Sequence, residues 1–480
     1  MLKVQYDTHK PDKKLNNRLN ILASHFRSNF RQTPSFFVRV PGRVNLIGEH
    51  IDYCGYSVCP MAIEHDILVA ISKSDEDELQ LINIDDKYPN YEHKGLRKIK
   101  NLRLDENHTG PSWHKYFLCG VKGALEVIPE EHIPKGLLTV VWGNIPPNAG
   151  LSSSSALVSA ALLATVHICQ YKMSKEDMAT VSAKAETYIG TQGGGMDQAI
   201  AFLGKAGSAK LIKFNPLCAF DVALPKNAVF VIAHSLVDHN KASNSYFNTR
   251  VLECRFAAQI IAKKNNIDWC NVPKLIDVQK CLNKTLEEMT AIVMANLKEE
   301  HYTLEEICQI LETSLDELKV ISNVLHYRTQ KFKLKQRALH VFQEAARVAM
   351  FQEICELEDM DESTQLCQLG NLMTKSHQSL KNLYECSHPR IDTLVTKAIE
   401  SGAFGARLTG AGWGGFVIAI TTAEKVNDFM ESLKSAFYYN NEELRNTDFS
   451  NTIFKTEPKE GAGIIMSSNN SCDKLKFVYI

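Results

Sequence analysis

The sequence predicts a two-domain α+β protein, and three observations carry that expectation. At 480 residues the chain is long enough for more than one hydrophobic core. Strand-like apolar runs alternate with segments of helical period through most of its length. Three glycine-rich loops, at 41–60, 143–155 and 408–415, each sit next to a strand-like run, the arrangement by which α and β elements frame a ligand cleft.

In chain order, Leu15, Leu19, Leu22, Phe26 and Phe30 recur at helical spacing beside Arg18, Arg27 and Arg31. This is the pattern of an amphipathic helix docking on the first domain, with a mitochondrial transit helix as the alternative. Phe36–Val40 reads as a short strand entering the first glycine loop. Met61–Ile71 reads as one strand or two, with Glu64 and His65 at a turn, and 83–112 as loops and short sheet edges.

Leu137–Trp142 reads as a buried strand, followed by a glycine–serine loop and a helix of small and apolar residues through Ile168. A helix over Lys175–Tyr188 runs into Gly190-Thr-Gln-Gly-Gly-Gly-Met-Asp-Gln198. Strands follow around Asn215-Pro216, and the domain boundary is placed there, giving domains 1–220 and 221–480. From Arg250 to Phe351 the pattern is helical, with breaks near 264–272 and 298–303. The third glycine cluster leads into a strand at Phe416–Ile420.

Bulk properties exclude several classes of function. The 54 basic and 55 acidic residues nearly cancel, so no global field recruits nucleic acid or acidic lipid. No apolar run approaches the roughly 20 residues that span a bilayer, and the N-terminus has no secretory pattern. Thirteen cysteines without paired short spacing read as reduced thiols of a cytoplasmic protein rather than a zinc or disulfide framework.

The chemistry concentrates in the loops. Pro41–Pro60 packs Arg43, Asn45, Glu49, His50 and Asp52 among glycines, a density of polar groups suited to a many-hydroxyl ligand. Gly150 with Ser152, Ser153 and Ser154 opens a helix and offers amides, hydroxyls and a helix N-terminus to an anion. It is not the lysine-containing P-loop pattern. A serine hydroxyl there also suits magnesium, which favours oxygen ligands. Asp197, after three glycines, is placed to reach a ligand, the competing reading being an N-cap for the apolar segment after it.

Three strings together resemble a known family. Pro146-Pro-Asn-Ala-Gly-Leu-Ser-Ser-Ser-Ser-Ala156 is similar to the ATP motif of GHMP kinases, Leu408-Thr-Gly-Ala-Gly-Trp-Gly-Gly415 to their third motif, and Pro41–Pro60 to the galactokinase signature. The resemblance runs from about Pro34 to Met466, leaving the last fourteen residues as a tail. It implies the α+β two-domain GHMP kinase fold: an N-terminal domain like domain 2 of ribosomal protein S5, and a ferredoxin-like C-terminal domain with a helical insertion. It further implies ATP-dependent phosphorylation of a sugar's C1 hydroxyl, with ATP and Mg2+ as cofactors, no nucleic acid or membrane partner, and a monomer.

By that resemblance Asp197 is the catalytic carboxylate and Arg43 lies beside it and the transferring phosphoryl group. A neighbouring guanidinium favours an ionised carboxylate at some cost in basicity, so electrostatic steering with partial proton transfer is expected. Glu49, His50, Asp52, Gly195 and Phe247 are implied to surround the sugar. Gly150, Ser152–Ser154, Asn240 and Lys241 are implied to hold ATP, and Ser154 with Glu186 the metal, while Asn45 braces the loop.

Within the family the chain most resembles the N-acetylgalactosamine kinase branch, through Gly48-Glu-His-Ile-Asp-Tyr-Cys-Gly-Tyr-Ser-Val58 and the triplet Gly193–Gly195. Cys54, where many galactokinases carry asparagine or glutamate, and Phe247, where many place a tyrosine, are departures (Tyr246 substitutes if the register slips by one). Three residues without side chains would leave room for an acetamido group at C2. The expectation is N-acetylgalactosamine preferred and galactose also accepted, with plain galactokinase the alternative and a non-catalytic sugar sensor a third reading.

Overall fold

Asp12 starts the first helix, its carboxylate accepting the Leu15 N–H at 2.7 Å. The computed structural model describes residues 12–105, 112–238, 245–322, 331–439, 449–467 and 475–479. Helix α1 (Lys13–Phe30) buries Leu19, Leu22, Ala23 and Phe26. These pack on Phe37, Leu68, Ala70, Leu138 and Val140, which all point to one face of the first sheet. The alternate residues Phe36, Val38, Val69, Ile71 and Val141 point to the other face and join the main core.

Strands β1 (Phe36–Ile47), β2 (Cys59–Ser74), β3 (Glu78–Asn83) and β4 (Tyr91–Lys94) precede α2 (Trp113–Val127), β5 (Gly136–Gly143) and α3 (Ser153–Ile168). Then come α4 (Lys175–Glu186), α5 (Met196–Leu203) and the hairpin of β6 (Ala209–Lys213) and β7 (Cys218–Val222). Helix α3 is buried on nearly every side, which explains why its sequence is apolar throughout rather than amphipathic. Gly120 of α2 lets it approach: a Cβ there would lie 2.2 Å from the Val158 carbonyl oxygen.

The second half begins with β8 (Ala228–His234) and α6 (Tyr246–Lys264). Four short helices follow: α7 (Leu275–Leu282), α8 (Leu286–Asn296), α9 (Leu304–Leu311) and α10 (Leu315–Ser322). Long helices α11 (Leu334–Glu356) and α12 (Glu362–Ser379) lead to α13 (Pro389–Glu400), β9 (Gly405–Leu408), β10 (Phe416–Thr422), α14 (Val426–Leu433) and β11 (Ile453–Thr456). The chain closes with β12 (Gly463–Ser467) and β13 (Leu475–Tyr479). An antiparallel sheet of order β11-β8-β10-β9 centres this half.

Three features differ from the sequence reading. The first sheet has the order β13-β12-β1-β2-β5-β3-β4, so residues 463–467 and 475–479, assigned to the second domain and in part to a tail, pair in the first sheet. Phe37 faces Ile465 across that ladder, which covers an edge of β1 that would otherwise be unpaired. Next, β2 (Cys59–Ser74) runs through Glu64 and His65 with no turn: the two lie where its register on β1 shifts, between Pro41 facing Asp66 and Arg43 facing Ala62, and its pairing with β5 begins at Ile67. Finally, β1 does not stop at Val40. It continues to Ile47 through irregularities at Pro41/Arg43 and Asn45/Ile47, which absorb the proline and re-aim the Arg43 side chain.

Candidate active site

A cavity of about 420 Å³ lies where the three glycine loops meet. Its geometry starts with Arg43, whose strand irregularity turns the side chain inward. The guanidinium donates from Nε to Asp197 Oδ1 at 2.7 Å and from Nη1 to the Gly150 carbonyl oxygen at 2.5 Å. Arg43 and Asp197 are 6% and 16% exposed, so the pair is shielded yet still faces the cavity. Burial opposes the Arg43 charge, but Asp197, Glu49 and Asp52 outweigh it and hold the pKa above its ordinary value.

The triple glycine is a backbone device. Gly194 lies against the Asp52–Tyr53 segment so closely that a Cβ would come within 2.2 Å of the Tyr53 nitrogen. Gly195 caps α5 with φ of 101°, in the left-handed region that favours glycine. Room for a substituent is therefore not what Gly194 supplies. Since Gly195 is the cap, Asp197 is not; it sits in the first turn of α5, aimed at Arg43. The Met196 N–H reaches Asp52 Oδ2 at 3.3 Å, tying this segment to the signature turn.

In that turn Glu49 is buried, and its Oε2 accepts from Arg407 Nη2 at 2.8 Å and from Asn45 Nδ2 at 3.4 Å. Burial raises its pKa, with Arg407 and Arg43 opposing. Asn45 braces the turn as expected: its N–H reaches Thr409 Oγ1 and its carbonyl accepts from Arg407 Nη1. His50 places Nδ1 2.9 Å from Tyr53 Oη and Nε2 2.9 Å from the Ala411 carbonyl oxygen. A carbonyl only accepts, so Nε2 carries the proton. Phe247 lines the cavity with its ring 5.6 Å from those of His50 and Tyr53, while Tyr246 is 54% exposed, so the register does not slip.

The serine loop backs onto the third glycine cluster. Gly150, at φ 85°, has no space for a side chain against the Thr409 carbonyl, and Phe416 N–H donates to the Ala149 carbonyl oxygen at 3.1 Å. Ser152 caps α3 in the left-handed conformation, φ 63°, and its hydroxyl is buried without a hydrogen-bond partner. Ser154 donates to Glu186 Oε1 at 3.1 Å.

Two residues that the sequence reading missed complete the centre. Ser155 Oγ lies 2.8 Å from Glu186 Oε2 and 3.3 Å from Asp197 Oδ2, between the two carboxylates, and Gln198 Nε2 donates to Glu186 Oε2 at 2.6 Å. Their signal was adjacency alone, as the fourth serine of the loop and the neighbour of Asp197. A further wing of the cavity is aromatic and apolar, with Tyr88, Trp113, Tyr116, Pro146 and Leu157. Tyr88 comes from the stretch that reads as loops and sheet edges, Trp113 and Tyr116 from the start of α2, and Pro146 and Leu157 flank the serine loop. Asn240 and Lys241 lie outside the described residues.

No helix among the described residues is long and apolar enough to cross a membrane, and none of the described cysteines forms a disulfide. Comparison with known proteins agrees with the motif geometry. The galactokinase galactose-binding signature matches residues 24–73, the GHMP kinases N-terminal domain 120–205, and the GHMP kinases C-terminal domain 361–440. The chain is 38% identical over 461 residues to a galactokinase of Dictyostelium discoideum, covering 91% of each. It is 35% identical to a galactokinase of Candida albicans, covering 87% of this chain and 88% of the relative.

Among solved structures, Lactococcus lactis galactokinase complexed with galactose superposes with a TM-score of 0.68 at 23% identity, over 93% of this chain and 99% of that one. A mevalonate kinase superposes at 0.54 with 21% identity, over 88% and 99%. These likenesses establish the fold as the α+β two-domain GHMP kinase fold. With the sequence relatives and the converging motifs, they show that the chain belongs to the galactokinase family of GHMP kinases and is a galactokinase-like, ATP-dependent sugar kinase.

Proposed function

We propose that the chain transfers the terminal phosphoryl group of ATP to the anomeric C1 hydroxyl of a galactose-configured sugar, with galactose itself a substrate. One observation carries the reading: a single guanidinium, Arg43, joins the Asp197 carboxylate at 2.7 Å to the backbone of the serine loop at 2.5 Å. Phosphoryl transfer depends on positioning and charge stabilisation more than on covalent chemistry. Here Asp197 orients the attacking hydroxyl and accepts its proton, and Arg43 faces the charge that develops on the transferring group.

Glu49, His50, Asp52, Gly195 and Phe247, all lining the cavity, surround the sugar in this reading. Gly150, Ser152, Ser153 and Ser154 hold the phosphates. The buried Ser152 hydroxyl, without a protein partner, and the start of the sixteen-residue helix α3 fit an anion there. The wing with Tyr88, Trp113 and Tyr116 suits the flat face of a purine.

Ser154 and Glu186, both oxygen donors, fit magnesium by type and would hold it. When bound, that ion neutralises charge on the phosphates. Asn240 and Lys241 remain proposed contacts to the nucleotide.

The relatives named above are galactokinases, which favours galactose as the substrate. A second reading, with a C2 acetamido sugar preferred, draws on Gly193 in the cavity wall and on Phe247, which has no hydroxyl to offer a sugar. Extra room in a pocket seldom excludes the smaller sugar, so galactose is accepted in both readings. The test is ADP release with galactose and with N-acetylgalactosamine in turn, followed by identification of the sugar phosphate. No turnover with either sugar would overturn the proposal.

A further inference from the structure

The signature turn holds two left-handed residues on either side of Glu49: Gly48 at φ 101° and His50 at φ 65°. His50 carries a side chain in a region that L-residues seldom occupy, so the turn needs external support. That support comes from one stripe of α11, a helix whose part in the site nothing above assigns.

Glu344 Oε1 accepts the Gly48 N–H at 2.9 Å and the Ser376 hydroxyl at 2.6 Å, while Oε2 takes Arg347 Nε at 2.7 Å. Four residues earlier, His340 Nε2 lies 3.1 Å from the Glu49 carbonyl oxygen and Nδ1 lies 2.9 Å from Ser379 Oγ. The carbonyl can only accept, so Nε2 donates, and in the neutral ring Nδ1 accepts from the Ser379 hydroxyl. Four residues later, Val348 packs on Gly48, where a Cβ would come within 3.0 Å of Val348 Cγ2. Positions 340, 344 and 348 share one helix face, and all three are buried.

The protonation states match the task. Burial pushes the His340 pKa down to about 4, leaving a neutral ring. Burial would raise the Glu344 pKa, but Arg347, His340 and Arg407 outweigh it and hold the carboxyl at about 2. A neutral donor thus meets the Glu49 carbonyl, and an ionised acceptor meets the Gly48 amide, a charge-assisted bond.

We propose that His340 and Glu344 are positioning residues for the sugar-binding turn, presetting the backbone at 48–50 so that the Glu49 and His50 side chains face the cavity. The helical segment of the second half is then part of substrate recognition. This inference rests on the reading of Glu49 and His50 as sugar contacts.

The test uses the full chain with His340→Phe, which keeps a ring but removes the donor, and His340→Gln, which restores one. Hydrogen exchange of the 44–53 amides is measured without ligands, and KM is measured for the sugar and for ATP. An unsatisfied buried carbonyl is costly enough that His340→Phe should speed exchange and raise the sugar KM by roughly tenfold. The ATP KM should move less than about twofold, with His340→Gln intermediate.

Unchanged exchange in a folded His340→Phe protein, or sugar and ATP constants rising together, would overturn the proposal. Should His340→Phe not fold, Ser379→Ala serves instead: the same pattern at smaller size supports the idea, and no change in exchange or KM overturns it. Faster exchange in a protein whose unmodified form phosphorylates neither sugar would sink the sugar reading while leaving the support of the turn intact.

Discussion

Replacing Asp197 with asparagine isolates the charge at the reacting centre. The amide oxygen of Asn can still accept the Arg43 Nε hydrogen bond now 2.7 Å long, and the side chain is similar in shape. The negative charge and the capacity to take a proton are lost. Arg43 keeps its bond to the Gly150 carbonyl oxygen and the fields of Glu49 and Asp52. The stability cost should therefore fall below the ~3–5 kcal/mol of a fully orphaned buried charge, nearer 1–2 kcal/mol.

Turnover should fall much further, by about 10²–10⁴-fold, the usual worth of a positioned acid or base. That corresponds to roughly 3–5 kcal/mol of barrier. Coupled ADP release at saturating sugar and ATP measures kcat, and a thermal melt with calorimetric sugar titration shows that the variant is folded and binds. A folded Asp197→Asn protein that turns over within tenfold of the unmodified one would refute the role given to this carboxylate.

Other expectations follow from particular contacts. Gly194→Ala puts a methyl 2.2 Å from the Tyr53 nitrogen and 2.4 Å from the Asp52 carbonyl carbon. It should lower stability by about 1–3 kcal/mol and raise the sugar KM, read by denaturant midpoint and kinetics. Trp113→Ala should raise the ATP KM about tenfold with little effect on the sugar KM, if the aromatic wing takes the base.

Acid should destabilise the fold through the α11 stripe. His340 has a folded pKa of about 4 against an ordinary 6.5, so the unfolded chain binds more protons and stability falls as pH drops through that window. Glu344, at about 2 against 4.5, continues the loss below it. Urea midpoints at pH 7, 5.5 and 4.5 should decline, and His340→Phe should flatten the upper part of that decline.

The sequence made the cluster around Arg43 legible because its groups lie in short motifs whose residue types have few other uses together. Arg43, Asp197 and the serine loop were expected to meet, and they do. Helices with clear periodicity, such as α1, were equally readable. What escaped depends on contacts between distant parts of the chain.

The Glu64-His65 pair reads as a turn because it is polar, yet Glu64 finds a partner in Thr456. Strands β12 and β13 carry no mark of which sheet they join. Gly194 looked like space for a ligand, whereas it makes room for the chain's own backbone. His340, Glu344 and Arg407 look like ordinary polar residues, and only the packed fold shows each one fully buried against the signature turn.

The site's chemistry is tested most directly by phosphorus and proton NMR of the product made from ATP, magnesium and galactose, repeated with N-acetylgalactosamine. The geometry predicts one equivalent of ADP per phosphate ester, with the phosphorus coupled to the proton on the anomeric carbon. A phosphate on any other carbon, or ADP formed with no sugar ester, would contradict it.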